Sequence, residues 1–272
     1  MALSQQQNEQ IPDAKELSRK ADQARMVAVE LVGSLGLGYL GQVASSAELL
    51  TVAMGTWLRP GVDRFVLSPA HYVTSVYAVG TVLGLLDVDL DTYGEDGTQL
   101  ETIGTERTPL VDFTCGSLAQ GLSVGIGLAL ADRLGGSDAR TMVFCSDGEM
   151  EEGQTWEAAL FAAHQGLDSL TVAIDCNGSQ VDGPVSSVVS IEPLAAKWDA
   201  FGWEVHEVDG HDPAAIWPAL TASTGKRPSV VVARTSPTTG LEALGETENA
   251  HFITLSKELE TSLITALSKR HP

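Results

Sequence analysis

Acidic and amide side chains end three short apolar runs of this chain. The three ends read Asp147-Gly148-Glu149, Asp175-Cys176-Asn177 and Asp209-Gly210-His211. The runs are rich in Val, Ile or Thr, as buried strands are, and ligands of parallel sheets bind beyond the carboxyl ends of the strands. Asp, Asn and Gly also end strands for purely structural reasons, so one such end would carry little weight. Together they predict a polar ligand site at one edge of a sheet.

Asp147 and Asn177 are the pair best suited to binding a metal ion. Their separation is that of one βαβ repeat, which places two strand ends side by side. One carboxylate and one amide oxygen can share a hard cation, and Mg²⁺ held by few protein oxygens usually completes its shell with water and ligand phosphates. Gly148 lets the backbone approach a phosphate closely, and a helix beginning near Gly153 directs its positive end to the same place. The spacing therefore predicts a divalent cation with a phosphate-bearing ligand.

The pattern of the surrounding chain predicts the α/β sheet that positions these residues. Strands are expected at 141–147, 170–175, 203–209 and 229–235. Helices are expected at 153–166, 191–201 and 212–223. Buried strands separated by helices indicate parallel βαβ units with right-handed crossovers. Because no repeat or linker divides the chain, residues 1–272 are expected to form a single domain, a parallel β-sheet flanked by helices.

The N-terminal part, residues 11–58, is predicted to be helical. Residues 1–10 are polar and expected to be flexible. Apolar spacing predicts a helix from Pro12 to Val32, then a glycine-rich turn over 33–41 and a second helix over 45–58, capped by a serine ahead of Glu48. Segment 117–134 is nearly all apolar, which predicts a helix buried against the sheet. Because 115–134 and 152–164 are apolar on more than one face, a second protein surface is expected to cover them.

Composition excludes several classes of function. The 272 residues carry a net charge of −20, from 16 Lys and Arg against 36 Asp and Glu. Nucleic acids and anionic membranes are therefore not expected partners, because binding them requires clustered cations. No apolar stretch approaches the roughly 20 residues of a membrane span, and the first residues lack a secretion signal. With only three scattered cysteines, Cys115, Cys145 and Cys176, the sequence predicts a soluble cytoplasmic protein.

The segment S-D-G-E-M-E-E-G (146–153), followed by D-C-N-G-S (175–179), resembles the thiamine diphosphate motif of the transketolase family. Ser146 stands in place of the usual leading glycine. Other segments similar to the family are DRFVLS (63–68) with His71, CGSLAQGLSVGIGLALA (115–131), EGQTWEAALFAAH (152–164), QVDGPV (180–185) and PLAAKWDAFGWEVHEVDGHD (193–212). The resemblance extends from about residue 15 to about residue 255. It implies the thiamine diphosphate-binding fold, as the N-terminal, pyrophosphate-binding half of the enzyme.

The resemblance implies a cofactor site that holds thiamine diphosphate with Mg²⁺ or another divalent cation such as Ca²⁺. The implied metal ligands are Asp147, Asn177 and the main-chain carbonyl of Ser179. The implied cofactor contacts are His71, Gly116, Ser117, Leu118, Asp147, Gly148, Glu149, Asn177, Val181 and His251. Catalytic roles are implied for His71 and His251, beside the diphosphate, and for Glu152 and Glu157, which match carboxylates that couple paired active sites across a subunit interface.

The substrate side departs from the family pattern. The segment G-Y-L-G-Q (38–42) stands where the family has GHxGG, so that Tyr39 occupies a histidine position. L-E-T-I-G (100–104) stands where the family has LxGHP, so that Ile103 occupies another, and S-P-A-H (68–71) replaces SKGH. Tyr39 can still donate a hydrogen bond, but a phenol with a pKa of about 10 is no base at neutral pH. Tyr39 and Ile103 are therefore candidate residues of an altered substrate site.

The resemblance also implies a partner subunit. In the family, a glutamate on a separate pyrimidine-binding domain activates the cofactor across a subunit interface, and that domain is not found in this sequence. A second chain, the C-terminal transketolase-like subunit, is therefore expected, in an (αβ)₂ heterotetramer.

The function expected of such a complex is transfer of a two-carbon ketol unit from a small-molecule ketose to an aldose. Three alternatives remain open at this point. The same unit could pass to a lipoyl group and an acyl carrier protein in a biosynthetic pathway. The chain could be a component similar to the E1 subunit of 2-oxo-acid dehydrogenases. It could also be a cofactor-free paralogue that serves as a scaffold, although such a protein would not need Asp147, Gly148 and Asn177 together.

Overall fold

The computed structural model describes residues 13–244 and 251–270. The helices in this part of the chain are α1 (Ala14–Leu35), α2 (Leu40–Val52), α3 (Val73–Val82), α4 (Gln120–Leu134), α5 (Gly153–Gln165), α6 (Val185–Val188), α7 (Leu194–Ala200), α8 (Pro213–Thr221) and α9 (Lys257–Ser268). The strands are β1 (Leu37–Gly38), β2 (Arg64–Pro69), β3 (Phe113–Cys115), β4 (Thr141–Ser146), β5 (Leu170–Cys176), β6 (Ser179–Gln180), β7 (Gly183–Pro184), β8 (Glu204–Asp209), β9 (Ser229–Arg234) and β10 (Ile253–Thr254). The prediction for residues 1–10 lies outside the described residues.

Six strands form one parallel sheet in the order β3-β2-β4-β5-β9-β8. The predicted parallel α/β architecture is therefore confirmed, and β4, β5, β8 and β9 correspond to the four predicted strands. Strands β2 and β3 were not predicted. A three-residue strand such as β3 is too short to show an alternating pattern, and its pairing with β2 depends on contacts distant in sequence. In register, Ser146 at the end of β4 lies opposite Asp175 on β5.

Helices cover both faces of this sheet. Alternate residues of each strand point to opposite faces, so Met142 and Phe144 of β4 pack with α1, α2, α3, α8 and α9, whereas Val143 and Cys145 pack with α4, α5 and α7. Helix α4 approaches the sheet closely because it has no side chain at two contact points. A Cβ atom at Gly121 would lie 2.5 Å from the Ser68 side chain, and one at Gly125 would lie 2.3 Å from Val143.

Two predicted helix starts are corrected by the structure. Helix α2 begins at Leu40, not at Ser45, and the residue before it, Tyr39, makes no side-chain cap. Ser45 and Ser46 lie inside the helix, where their hydroxyls donate to the carbonyl of Gln42, a local bond that serines in helix interiors often form. Helix α4 begins at Gln120, because Ala119 adopts a positive φ of 66°. The residues before Ala119 form a loop at the carboxyl edge of the sheet.

None of the helices within 13–244 and 251–270 is both long and apolar enough to cross a lipid bilayer. Over the same residues all three cysteines are free thiols, and Cys145 and Cys176 are buried. Small buried apolar packing, the role that the sequence suggests for all three cysteines, is therefore found for Cys145 and Cys176, whereas Cys115 is only partly buried.

The outer faces of α4 and α5 expose large apolar side chains. Leu134 is 86% exposed, Leu160 61% and Phe161 46%. Helices α4 and α5 lie side by side in one layer, and their opposite faces bury Ile126 and Ala159 against the sheet. Each helix is thus apolar on two sides, and the sheet covers only one of them.

We expect the isolated chain to self-associate through this face, because an exposed apolar surface is stabilised when another surface covers it. Replacing Leu160 and Phe161 by glutamate should reduce self-association, measured by light scattering. The matched control for each single variant, Leu160→Glu or Phe161→Glu, is Val62→Glu, which adds the same single negative charge at an exposed apolar residue in the turn before β2. An unmodified chain that stays monomeric at all concentrations would contradict this prediction.

Candidate cofactor site

A cavity of about 290 Å³ opens at the carboxyl edge of the sheet. Its wall is formed by Tyr39, Ala70, His71, Tyr72, Ile103, Gly116, Leu118, Ser146, Asp147, Gly148, Ser179, Gln180, Val181 and His251. The structure thus brings together ten of the residues that the sequence singled out, from positions 39 to 251. The side chains on the wall are polar at the strand ends and apolar on the loops, a combination suited to a ligand with a charged end and an apolar ring.

Asp147 is held against the turn that follows β5. It comes directly after β4 and is almost fully buried. Its Oδ1 accepts a hydrogen bond from the backbone N–H of Gly148 (2.9 Å), and its Oδ2 accepts one from the N–H of Gly178 (2.6 Å). Burial and the neighbouring carboxyl of Asp175 raise the pKa of Asp147 to about 7. Gly178 directly follows Asn177 in the chain, so this bond holds the Asp147 carboxyl group beside the turn that contains Asn177. The βαβ spacing predicted that the two strand ends lie side by side.

The side chain of Asn177 is oriented by three acceptors behind it. Its Nδ2 donates to Tyr72 Oη (3.1 Å), Ser45 Oγ (3.2 Å) and Asp175 Oδ2 (3.3 Å). Its Oδ1 accepts from the backbone N–H of Ser179 (2.9 Å). Because the amide nitrogen is turned inward, the amide oxygen is presented on the side of Ser179. Hard cations bind asparagine through its amide oxygen, and here that oxygen is held in a fixed position.

Asp175 is the centre of this arrangement, and we call it, with its partners Ser45, Tyr72, Asn177 and Thr235, the Asp175 cluster. The buried carboxylate accepts from Ser45 Oγ (2.5 Å), Tyr72 Oη (2.9 Å) and Thr235 Oγ1. Burial raises the pKa of Asp175. Sequence reasoning placed Asp175 at a strand end but missed its partners. The available signal was an aspartate at the end of the otherwise apolar run of β5.

The oxygen atoms present at this site fit the divalent cation and the diphosphate that the sequence implies. Asp147 supplies a carboxylate, Asn177 an oriented amide oxygen, and Ser179 a backbone carbonyl close by. Within 13–244 and 251–270 there is no group of three or more His, Cys, Asp or Glu residues that could hold a metal ion, so a cation here would depend on this mixed oxygen set. A Cβ atom at Gly116 would meet nothing within 4 Å, and one at Gly148 would meet only Gln180 at 3.8 Å, so both glycines leave open space for a ligand.

Two histidines and a tyrosine form an aromatic group on the wall of the cavity. The rings of His71 and His251 are 5.1 Å apart, and Tyr39 lies 5.4 Å from the first and 5.6 Å from the second. Burial, together with His251, lowers the pKa of His71 to about 3, and burial lowers the pKa of His251. Both imidazoles are therefore neutral at physiological pH, and each can donate one hydrogen bond.

Glu149 lies beneath the cavity and not on its wall. Its buried carboxyl accepts from the backbone N–H of Ala119 (2.8 Å) and of Ser146 (2.9 Å), and from Ser68 Oγ. It therefore supports the loop before α4 that carries Gly116, Ser117 and Leu118. Ser117 is exposed beside the cavity. The predicted cofactor contacts of Ser117 and Glu149 are not visible in this placement and stay predictions.

Three further predicted residues lie outside the cavity. Glu152, the N-cap of α5, and Glu157, one turn before Leu160 and Phe161 in the same helix, are both exposed. The third strand end also lies away from the cavity, because His211 Nδ1 pairs with Glu48 Oε2 (3.1 Å) and its Nε2 accepts from the N–H of Ser236. The expectation that all three strand ends serve one site is thus wrong for β8, which is separated from β5 by β9.

Comparison with known proteins places these features in one family. The family model described as transketolase, thiamine diphosphate binding domain, matches residues 18–267. A putative uncharacterized transketolase family protein, y4mO, of Sinorhizobium fredii is 36% identical over 87% of this chain and 90% of its own length. The 6-deoxy-6-sulfo-D-fructose transketolase subunit SqwG of a Clostridium species is 32% identical over 93% of this chain and 97% of its own. An apulose-4-phosphate transketolase subunit of Phocaeicola vulgatus is 30% identical, over 93% and 94%.

Solved structures show the same fold in longer proteins. The transketolase of Campylobacter jejuni superposes on 94% of this chain with a TM-score of 0.82 at 23% identity. That match covers 43% of the solved chain. This chain thus spans less than half of the solved transketolase, whereas it spans nearly all of the relatives named as subunits.

The lowered pKa of His71 predicts a specific sensitivity of folding to acid. The folded-state pKa of about 3 lies below the ordinary 6.5, so the unfolded state binds the extra proton and stability is lost as pH falls from 6.5 towards 3. Between pH 7.5 and about pH 5, His71→Phe should lose about 2 kcal/mol less free energy of unfolding than the unmodified chain. Urea titrations at both pH values measure this, with exposed His164→Phe as the control. Equal losses in all three proteins would show that His71 does not titrate as its burial implies.

Proposed function

This chain belongs to the transketolase family, whose thiamine diphosphate binding domain matches residues 18–267, and we propose that it transfers a two-carbon ketol unit from a ketose as one subunit of a split enzyme. The observation that carries the proposal is the pairing of Asp147 with the turn after Asn177. Asp147 lines the cavity, and Asn177, which does not, has its amide oxygen bonded to the backbone N–H of the wall residue Ser179.

In the proposed enzyme, Asp147, Asn177 and the carbonyl of Ser179 hold the divalent cation, and the cation binds the diphosphate. Gly116 and Gly148 allow the backbone to approach, while His71 and His251 donate hydrogen bonds as neutral imidazoles. Leu118 and Val181 provide apolar contact for the ring part of the cofactor. Bound thiamine diphosphate would supply stabilisation of the two-carbon carbanion that remains when the carbon–carbon bond of the ketose breaks.

The proposed partner is a C-terminal transketolase-like subunit that carries the pyrimidine-binding domain, in an (αβ)₂ heterotetramer. Two observations support it. The relatives covered over 94–97% of their length are named as transketolase subunits, and α4 and α5 expose Leu134, Leu160 and Phe161. Glu157 lies one helical turn before Leu160 and Phe161, and Glu152 is the N-cap residue of the same helix. We propose that these two carboxylates couple the paired sites across that interface.

A lipoyl group on a partner, followed by an acyl carrier protein, is the second candidate acceptor, and one observation favours it. Ile103, Leu118 and Val181 line the cavity and are exposed. The exposed Phe252 packs against the wall residue Tyr39, with ring centroids 4.9 Å apart. Within the described residues, neither lysine nor arginine lines the cavity. The apolar contacts offered by the described wall residues therefore favour an apolar acceptor over a phosphorylated sugar.

Because the chain matches the transketolase family, an E1-like component has less support. The presence of Asp147, Gly148 and Asn177 together argues against a cofactor-free scaffold.

Cofactor binding should depend on the metal, because the cation links the protein oxygens to the diphosphate. Asp147→Ala and Asn177→Ala should each weaken thiamine diphosphate binding by more than about tenfold, since even residues that only support metal ligands have effects of this size. Titration of the cofactor into the two-subunit complex, with Mg²⁺ and with a chelator, measures this. Asp209→Ala serves as the control, because Asp209 also ends a strand but lies outside the cavity. Chelator-insensitive binding would rule out the proposed metal link.

Restoring the family histidines should shift the substrate profile. Tyr39→His and Ile103→His add ring nitrogens at two wall positions, so kcat/KM for sugar phosphates should rise relative to other acceptors, most in the double variant. Val189→His is the matched control, because Val189 is exposed but outside the cavity. If neither single nor double variant changes the profile, the two residues do not determine specificity.

A further inference from the structure

Gln42 lies in the first turn of α2, directly behind the cavity wall. Its side chain is buried and does not line the cavity. Its Nε2 lies 2.9 Å from Nδ1 of His251, a residue 209 positions away in sequence. The family turn GHxGG has glycine at this position, and glycine has no side chain with which to bond a histidine. The Gln42–His251 bond therefore depends on the departure of this chain from that turn.

The backbone of Gln42 is held in place, whereas Oε1 of its buried side chain has no hydrogen-bond partner among the described residues. Its backbone carbonyl accepts from Ser46 Oγ (2.6 Å) and Ser45 Oγ (3.2 Å). Ser45 belongs to the Asp175 cluster, since the same hydroxyl donates to Asp175. The position of the Gln42 backbone is thus linked to the cluster that orients Asn177. A shift of the first turn of α2 would disturb both Asn177 and His251.

With the Gln42 amide oriented as it is in this structure, its bond to His251 determines where the imidazole carries its proton. An amide NH₂ group can only donate a hydrogen bond, so Nδ1 must accept with its lone pair. A neutral imidazole has one N–H, which then lies on Nε2. Burial favours this neutral form, because it lowers the pKa of His251. Rotating the amide of Gln42 would put its oxygen against Nδ1 and move the proton to that nitrogen.

The choice of tautomer matters for an anionic ligand. An Nε2–H group on the cavity wall can donate to a phosphate oxygen, whereas an Nε2 lone pair would repel it. Tyr39 and His71 pack against the same ring at 5.6 Å and 5.1 Å, which limits its rotation about the bond to Gln42. We propose that Gln42 is a positioning residue that holds His251 with its proton on Nε2, so that His251 donates to the diphosphate of the cofactor. The identity of the ligand rests on the proposed function, but the tautomer does not.

The tautomer can be measured without ligand or partner. In the full chain labelled with ¹⁵N-histidine, long-range ¹H–¹⁵N spectra distinguish a protonated from an unprotonated ring nitrogen, and the His251 signals are those lost in His251→Asn. We expect Nε2–H alone in the unmodified chain, a mixture in Gln42→Leu, and Nδ1–H in Gln42→Glu, whose carboxylate can only accept. Gln154→Glu is the matched control, because Gln154 bonds to Gln120 and Ser123 on α4 and should leave His251 unchanged. A mixture or Nδ1–H in the unmodified chain would overturn the inference.

Binding provides the second measurement. Gln42→Leu should weaken binding of thiamine diphosphate with Mg²⁺ to the two-subunit complex by about tenfold, the size of one charge-assisted hydrogen bond. In the His251→Phe background, Gln42→Leu should have no further effect, because its role passes through His251. If Gln42→Leu weakened cofactor binding equally in both backgrounds, Gln42 would act through packing and not through His251. If the complex bound no thiamine diphosphate while His251 kept the Nε2–H form, the proposed function would fail and the tautomer assignment would stand.

Discussion

The buried carboxylate of Asp175 is the constraint on which the candidate site depends. A carboxylate removed from water is costly unless hydrogen bonds replace its hydration. Here the hydroxyls of Ser45, Tyr72 and Thr235 donate to it, and so does the amide of Asn177. These donors come from α2, from the turn after β2, from the end of β9 and from the turn after β5. None of these segments can move alone without leaving part of a buried carboxylate unsatisfied.

The same carboxylate sets the electrostatics of the cavity. Together with burial, it raises the pKa of Asp147 to about 7, so that the protein disfavours two full negative charges at this edge of the sheet. A divalent cation at Asp147 and Asn177 would reverse the balance, because a bound cation favours the ionised carboxylate. Binding only to the folded state also stabilises that state. If a cation binds as proposed, its affinity, the ionisation of Asp147 and the stability of the fold would be coupled through one pair of carboxyl groups.

Sequence patterns predicted what depends on neighbours in the chain. Strands β4, β5, β8 and β9 followed from short apolar runs, and the juxtaposition of Asp147 and the turn after Asn177 followed from the length of a βαβ repeat. Strand β3 did not, because three residues carry no periodicity. The bonds from Ser45 to Asp175 and from Gln42 to His251 join positions 130 and 209 residues apart. Neither composition nor spacing encodes such contacts, and they appear only when α2 is placed on the sheet.

The proposed division between a polar end that keeps the family pattern and a mouth that departs from it would have a physical basis in the fold. The Asp175 cluster, Asp147 and Glu149 lie at the ends of central strands, where each polar atom is committed to a buried partner, so one substitution would disturb several segments at once. Tyr39, Ile103, Val181 and Phe252 come from connections outside the central sheet, and their side chains are partly or largely exposed. Exposed side chains can change at small cost to stability. The mouth can therefore be adapted to a different acceptor while the strand ends continue to present the same oxygens to a cation.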